Sequence, residues 1–195
     1  MSPRTPQQLK TFRAQKKLEI ISKALVLFAE NGYFNTSVSD IAKTVGMSKG
    51  LLYSYFESKE VLLNEVIAYS LREGAQMYMP KEELKGLHPQ DIFKKAIEGY
   101  FDLLQEKKEL WRLIVSVAIH VSSIPSVYNT ITLVYEELLA QMEELFVLIG
   151  HENPKNEAIK LGAVFDGIGI QYLIFGKEYP LQQIKENILN TYLKK

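Results

Sequence analysis

The chain has 195 residues, 47% of them hydrophobic and none of them cysteine, and its 23 basic side chains balance 23 acidic ones. This apolar content supports a buried core in one large domain or two small ones, and the lack of cysteine excludes disulfides, thiolate zinc sites and cysteine nucleophiles. No apolar run reaches membrane-spanning length and the polar start does not resemble a secretory signal, so we expect a cytoplasmic protein with no membrane partner.

The charge is unevenly distributed along the chain. Residues 1–49 contain eight basic and three acidic side chains, a net charge of +5, whereas residues 66–195 contain fourteen basic and seventeen acidic ones, a net charge of −3. This asymmetry indicates a basic N-terminal module on a mildly acidic body, although differences of a few charges also arise by chance. A motif is needed to decide between the two explanations.

The pattern of prolines and apolar residues predicts an all-α protein of about nine helices. Between the prolines, which helix interiors exclude, apolar residues recur at intervals of three and four. The first helix is marked by Leu18 to Phe28 and ends near Gly32, and two short helices follow between Ser37 and Phe56. The six remaining helices are predicted near 62–79, 92–104, 110–121, 131–145, 157–176 and 181–194.

The segment 36–59 has the pattern of a helix-turn-helix. Ser37 and Asp40 form a capping box that starts a short helix, and Gly46 supplies the positive φ that a tight turn needs. Ser48 then caps a second short helix, which is predicted to continue to Phe56. Two short helices joined in this way are typical of a helix-turn-helix, although a plain helical hairpin has the same spacing.

The exposed positions of this segment favour binding to double-stranded DNA. Gly50 lowers helix stability by roughly 1 kcal/mol, which is understandable if DNA approaches the backbone there. Lys59 is predicted to bind a phosphate at the start of the next helix, and Ser37 and Ser39 offer a second phosphate site. The predicted DNA contacts are Ser37, Ser39, Ser48, Lys49, Gly50, Tyr53, Tyr55 and Lys59, with the alternative that one of the tyrosines belongs to the core.

Residues 18–66 resemble the TetR family of bacterial repressors. The stretch GLLYSYFESKE is similar to the family's recognition helix and the start of its fourth helix, and residues 67–195 match only in layout. The resemblance implies an all-α homodimer with a DNA-binding domain, here residues 1–60, and a ligand-binding and dimerisation domain, here residues 61–195. It also implies DNA contacts by Lys49, Gly50, Tyr53 and Tyr55 and a phosphate contact by Lys59.

The C-terminal two thirds contain no catalytic constellation, so we do not predict an enzyme. The three histidines, His88, His120 and His151, are too far apart for a helix-borne metal site, and no cofactor is predicted. The sequence GIG at 167–169 lies inside a helical pattern and lacks the strand and third glycine of a dinucleotide loop. Gly162, Gly167 and Gly169 are therefore interpreted as sites of close helix packing.

The body is predicted to bind a small-molecule effector and to form a homodimer. The ligand-binding candidates are aromatic residues of the central helices, Tyr100, Phe101, Trp111, Tyr128, Tyr135 and Phe165. We expect a hydrophobic or aromatic ligand, or a cationic one if Glu98, Asp102 or Asp166 contributes, although such aromatic stripes are also common in cores. The predicted dimer interface is formed by the last two helices through Phe165, Gly169, Tyr172, Leu173, Ile188 and Tyr192.

Together these features predict a homodimeric, ligand-responsive repressor that binds a palindromic operator and is released by its effector. The mechanism would be a population shift, in which the ligand favours a spacing of the two DNA-binding heads that does not match the groove. The alternative is a helical small-molecule-binding protein or enzyme whose helix-turn-helix is purely structural. Binding to the DNA upstream of its own gene separates the two.

Overall fold

The computed structural model describes residues 5–78, 86–118 and 124–193, which form nine α-helices and no strand. The all-α prediction is confirmed. A 3₁₀ turn, Gly176–Glu178, follows the eighth helix. The helices are α1 (Pro6–Asn31), α2 (Val38–Val45), α3 (Lys49–Tyr53), α4 (Lys59–Tyr78), α5 (Pro89–Glu106), α6 (Lys108–Ala118), α7 (Pro125–Leu148), α8 (Pro154–Phe175) and α9 (Leu181–Tyr192).

Helix α1 begins about three turns earlier than the apolar pattern indicated. Thr5 accepts a hydrogen bond from the Gln8 amide, Gln8 bonds back to the Thr5 amide, and Pro6 occupies the first helical position. This capping box starts the helix although residues 6–15 bury no side chain. The start was missed because capping, rather than an apolar face, determines it, whereas the predicted end at Gly32 matches the observed C-cap.

Two apolar clusters hold the chain together. The first joins α1 to α4 and includes Ile20, Phe28, Ile41 and Leu52, and Leu113 of α6 packs into it. The second is formed by α5, α7, α8 and α9 around residues such as Phe93, Phe146 and Leu161. Because α6 belongs to the first cluster, the helix-turn-helix head and the body share packed side chains, and the division at residue 60 remains a prediction.

Helix α8 departs from the expectation that no apolar segment reaches membrane-spanning length. With the turn that follows it, α8 is long and apolar enough to cross a membrane by length and composition alone, which corrects the prediction that no segment has this character. Its buried residues, Ala158, Leu161, Phe165, Ile168 and Gly169, pack within the second cluster or against α6. We therefore treat it as a core helix with a second, exposed apolar face.

Close helix packing occurs at two of the three glycines for which it was predicted. A Cβ atom on Gly169 would lie 2.9 Å from Cε3 of Trp111, and one on Gly162 would lie 3.0 Å from Cδ2 of Leu139. At Gly167 no atom of the described residues lies within 4 Å of such a Cβ. Gly162 and Gly169 thus let α7 and α6 approach α8, and Gly167 has no packing role inside the protomer.

Candidate DNA-binding surface and internal cavity

The helix-turn-helix geometry follows from short-range signals in the sequence. The Asp40 amide donates to Ser37 Oγ at 3.1 Å and the Ser37 amide donates to Asp40 Oδ2 at 2.9 Å, which completes the predicted capping box. Gly46 ends α2 in the left-handed region at φ 72°, where only glycine is unstrained. Ser48 then caps α3 by accepting from the Leu51 amide at 3.2 Å.

Helix α3 has an exposed face whose residues lie outside the apolar core. Lys49, Gly50 and Tyr53 are exposed, and Leu52 alone of the helix is buried in the first apolar cluster. No atom of the described residues lies within 4 Å of a Cβ built on Gly50, so internal packing does not require glycine there. The helix ends at Tyr53, about one turn before the predicted end at Phe56, because Ser54 closes it by bonding to the Leu51 carbonyl.

Tyr55 lies beside this face but packs inward. It is half-buried against the first apolar cluster, and the Arg13 guanidinium lies 5.1 Å from its ring centroid. Arg13 also donates to the Ser54 carbonyl at 2.6 Å, which ties α1 to the end of α3. Of the two tyrosines, Tyr55 is therefore the one that contacts the core, and the DNA contacts of both tyrosines stay predictions.

Lys59 holds the head together rather than extending from it. Its ammonium donates to the carbonyls of Tyr33 at 2.9 Å and Thr36 at 3.0 Å, and it lies 4.3 Å from the Tyr33 ring centroid. Burial lowers its pKa. Two of its three protons are engaged with the loop before α2, which favours a structural role for Lys59 over the predicted phosphate contact.

The phosphate site predicted at the start of α2 is partly filled by the protein. Ser37 Oγ donates to Asp40 Oδ2 at 2.5 Å, and the hydrogen bonds from Ser37 lower the Asp40 pKa. A carboxylate therefore already accepts from the N-terminus of α2. Ser39, in the first turn of the same helix, is exposed and stays a predicted contact, as does Ser48 at the start of α3.

The cations of the head divide into paired and exposed groups. Lys16 pairs with Glu19 and Lys17 pairs with Glu65 of α4, each at 2.8 Å. The exposed cations of the described head without a salt bridge are Lys10, Arg13, Lys23, Lys43 and Lys49, and Arg13 is already engaged with the Ser54 carbonyl. Of these, Lys49 lies on α3 itself and is the cation best placed to meet a nucleic acid.

A cavity of about 100 Å³ lies inside the body, partly open to solvent. Helices α4 to α8 all contribute to its wall, which is formed by Leu71, Tyr100, Leu103, Leu110, Trp111, Ile114, Tyr135, Leu138, Leu139, Met142, Gly162, Phe165 and Asp166. The rings of Tyr100 and Phe165 are stacked with centroids 3.6 Å apart, and the Tyr100 hydroxyl donates to the Phe165 carbonyl. The wall is therefore mainly apolar, with four aromatic side chains among its thirteen described residues, as expected of a small-molecule site.

The polar groups of the cavity are few and belong to three residues besides Tyr100. The Tyr135 hydroxyl donates to Asp166 Oδ1 at 2.7 Å, and burial followed by this hydrogen bond raises the pKa of Tyr135. Burial also raises the pKa of Asp166, although the Tyr135 bond opposes the shift. The Trp111 indole N–H is buried without a hydrogen-bond partner among the described residues.

Four of the six predicted ligand residues line this cavity, namely Tyr100, Trp111, Tyr135 and Phe165. Phe101 is buried in the second apolar cluster outside the cavity wall, and Tyr128 is exposed on α7, so the prediction is corrected for these two positions. Among the three acidic candidates, only Asp166 lines the wall. The aliphatic, methionine and glycine positions of the wall were missed because their spacing is that of ordinary core helices.

Most residues predicted to form the dimer interface are packed inside the protomer. Phe165, Gly169 and Ile188 are buried, and Tyr192 packs on Phe93 and Phe146. The Tyr192 hydroxyl donates to Glu157 at 3.1 Å, and burial followed by this bond raises its pKa to about 12. Buried residues add little area to an interface, so we correct this set; Tyr172 and Leu173 remain half-exposed.

The exposed apolar surface of α8 lies instead on the opposite side of the helix. Ile174 is 69% exposed and Phe175 is 58% exposed, and the other members of this face recur at spacings of three and four. We call this surface the α8 face; it comprises Ala163, Val164, Gly167, Ile170, Ile174 and Phe175. Sequence reasoning identified the helix but not the face, because α8 is apolar on both sides.

Comparison with known proteins finds a family resemblance in the N-terminal part of the chain. Residues 20–66, which span the end of α1 through the first turns of α4, match the family model of bacterial regulatory proteins of the tetR family. Within this segment the chain is similar to the TetR family. The matched residues contain the whole helix-turn-helix described above, so the likeness and the geometry concern the same part of the molecule.

Relatives and solved structures agree with this assignment. Over 98 residues the chain is 36% identical to the HTH-type transcriptional regulator YerO of Bacillus subtilis, a match that covers 49% of this chain and 33% of that protein. It is 36% identical over 70 residues to the fatty acid metabolism regulator protein of the same organism, covering 36% of this chain and 35% of that one. The chain thus spans about a third of the length of these curated relatives.

The fold extends beyond the matched segment. A transcriptional regulator from Saccharomonospora viridis, solved in complex with choline, superposes with a TM-score of 0.80 at 19% identity, over 93% of this chain and 96% of that one. At this identity the likeness concerns the fold, which includes the helices of the body as well as the head. The predicted all-α architecture, with a helix-turn-helix head on a helical body, is therefore shared with this solved structure.

Proposed function

We propose that the protein is a cytoplasmic, homodimeric transcriptional repressor and not an enzyme. The observation that carries the proposal is the exposed face of α3, where Lys49, Gly50 and Tyr53 lie outside the apolar core. A recognition helix that enters the major groove needs such a face, with small residues where the backbone approaches the DNA. The match of residues 20–66 to the family model of bacterial regulatory proteins supports the same conclusion.

Dimerisation would extend the DNA sequence that the protein recognises. A single short recognition helix contacts few base pairs, and two heads related by a two-fold axis read a palindrome with half-sites roughly 34–36 Å apart. The α8 face supports this arrangement, because its apolar residues are exposed in the protomer and Gly167 at its centre has open space above it. We propose that two α8 faces meet, since an isologous contact buries the same patch on both copies.

The proposed effector site is the cavity between α4 and α8. Helix α4 starts in the head and reaches the cavity wall through Leu71, so one helix connects the head with the proposed effector site. A ligand that changes the position of α4 would therefore move the head. Reducing DNA occupancy a hundredfold requires about 2.7 kcal/mol of difference in ligand affinity between the two arrangements, which lies within ordinary allosteric couplings.

A chain of hydrogen bonds links α4 to α7 at the level of the head. Thr130 donates to Asn64 Oδ1 at 3.2 Å, Asn64 donates to Ser126 Oγ at 2.8 Å, and Ser126 donates to Glu60. Each partner has a defined donor or acceptor role, so a shift of α7 would break the chain rather than stretch it gradually. Because α7 also carries Tyr135 and Met142 of the cavity wall, we propose this chain as part of the ligand response.

A mobility-shift titration tests the proposed function. Labelled DNA from upstream of the protein's own gene should be retarded at a stoichiometry of two chains per site, and an unrelated DNA of equal length should be retarded only at much higher protein concentration. Equal affinity for the two DNAs would indicate a sequence-indifferent binder. No retardation of either DNA would favour the alternative of a ligand-binding protein with a structural helix-turn-helix.

A further inference from the structure

Among the described residues, the cavity wall carries one acidic group and no basic group. Among its thirteen residues, Asp166 is the single acid, and none is lysine, arginine or histidine. Within the described part of the chain, the hydrogen-bond partner of Asp166 is Tyr135, and no salt bridge reaches its carboxylate. Tyr135 donates to Oδ1, which leaves Oδ2 to accept from another donor.

An acid placed in this way is costly unless a positive charge joins it. A half-buried carboxylate loses hydration that one tyrosine hydrogen bond replaces only in part, and burial accordingly raises the Asp166 pKa. The two other acids considered for a cationic ligand, Glu98 and Asp102, do not need a ligand to offset their charge. Glu98 is within 4.0 Å of the Lys94 ammonium, and Asp102 is exposed to water.

The remainder of the wall suits the body of an organic cation. Trp111 lies with its ring centroid 6.0 Å from that of Tyr100, and the rings of Tyr100 and Phe165 are stacked beside it. Aromatic rings attract cations through their quadrupoles, and the attraction grows when water is excluded. A carboxylate ligand, in contrast, would meet Asp166 with no counter-ion among the wall residues.

We propose that this cavity binds a small organic cation, an alkyl or arylalkyl amine whose ammonium group pairs with Asp166 and whose apolar part lies among the aromatic side chains. The proposal rests on the proposed effector role of the cavity and narrows it to one class of ligand. The volume of about 100 Å³ is smaller than the roughly 150 Å³ of an engineered cavity that holds benzene, so a single ring with one head group would extend through the open side.

The protein contains its own reporter for this test. Trp111 is the one tryptophan of the sequence and it lies in the cavity wall, so its fluorescence responds to an occupant. Three matched probes are titrated into the full chain at neutral pH: benzylamine, benzyl alcohol and benzoate, which share the ring and differ in the charge of the head group. Benzylamine should bind at least about tenfold more tightly than benzyl alcohol, and benzoate more weakly than either.

The isosteric variant Asp166→Asn tests whether the charge of Asp166 causes the preference for benzylamine over benzyl alcohol. It keeps an oxygen that accepts from Tyr135 and removes the charge, so the advantage of benzylamine over benzyl alcohol should fall to about threefold or less. Asp102→Asn is the matched control, because it removes an exposed acid of α5 outside the cavity wall, and it should leave the tenfold preference unchanged.

Several outcomes would overturn the proposal. Benzoate binding as tightly as benzylamine, equal binding of the amine and the alcohol, or no fluorescence response to any probe would each contradict a cation site. The comparison of the three probes on the unmodified protein decides this even if Asp166→Asn fails to fold. DNA retardation is measured separately, so a failure to bind DNA would overturn the proposed repressor function and leave the ligand preference standing.

Discussion

The head and the body of this protein use the same residue types for different purposes, and glycine shows the difference most clearly. Gly50 of α3 has open space where a side chain would extend, whereas Gly169 of α8 is in contact with the Trp111 ring. In the head the missing side chain leaves room for something outside the protein. In the body it allows two helices of the same chain to pack closely.

This comparison teaches how to separate functional from structural residues on one fold. A residue type that is unfavourable in a helix requires an explanation, and the explanation is internal when neighbouring atoms fill the space and external when they do not. The two lysines Lys49 and Lys59 divide in the same way. Lys49 is exposed on α3, whereas Lys59 is hydrogen-bonded to the loop before α2.

The largest expected effect comes from filling the space above α3. Gly50→Leu should reduce affinity for the operator by about a hundredfold or more, because a misplaced side chain prevents the backbone from approaching the DNA. The fold should be retained, since no atom of the described residues lies within 4 Å of the added Cβ. Fluorescence anisotropy with labelled DNA measures affinity, and an unchanged melting temperature together with unchanged benzylamine binding shows that the body is intact.

The second prediction concerns the α8 face. Ile174→Asp should convert the dimer to monomers at micromolar concentration, since a charge placed in a buried isologous contact is repeated on both copies. Leu133→Asp on α7 is the control, because Leu133 is also 60% exposed but lies outside the α8 face. Light scattering after size-exclusion chromatography gives the mass, and a dimeric Ile174→Asp variant would place the interface elsewhere.

The third prediction compares the two glycines by stability. Gly169→Ala should lower the free energy of unfolding by about 1–3 kcal/mol, because the new methyl overlaps the Trp111 ring and forces it to move. Gly50→Ala should be neutral or stabilise by up to about 1 kcal/mol, since alanine favours the helix and meets no neighbour. Urea titration measures both, and equal effects would remove the distinction between internal and external glycines.

The smallest expected effect is on the salt dependence of DNA binding, which should distinguish Lys49 from Lys59. Lys49→Ala should weaken DNA binding several-fold and reduce the slope of log affinity against log salt by about 0.9 for each head, as loss of one phosphate contact does. Lys59→Ala should leave that slope unchanged and lower stability by about 1–2 kcal/mol, because two loop carbonyls lose their donor. Salt titrations of both variants check this, and a flattened slope for Lys59→Ala would restore its phosphate contact.

The head was largely predictable from the sequence because its signals are local. The capping box at Ser37 and Asp40, the left-handed turn at Gly46 and the cap at Ser48 each act within a few residues, and the structure shows each of them. What local signals did not reveal were the long-range partners. The contact of Arg13 with Ser54 spans 41 residues, so the inward position of Tyr55 followed from packing that no short pattern encodes.

The body was predictable only as a set of helices. Its apolar stripes indicate where helices lie but not which side faces the core, so Phe165 and Ile188 were assigned to an interface although they are buried within the protomer. Similarly, Phe101 and Tyr100 are neighbours in sequence, yet only Tyr100 faces the cavity. The role of Asp166 depends on the absence of a cation from the cavity wall, which is a property of the assembled helices.

The central claim is that two α3 helices, presented by a dimer, read a palindromic DNA sequence. Selection from a random double-stranded DNA library with the full-length protein tests it most directly, because such a library contains every short candidate operator. The account predicts enrichment of an inverted repeat whose half-site centres are one helical turn apart, about 10–10.5 base pairs, or a multiple of that. Enrichment of a single asymmetric half-site, or no enrichment above the starting library, would contradict it.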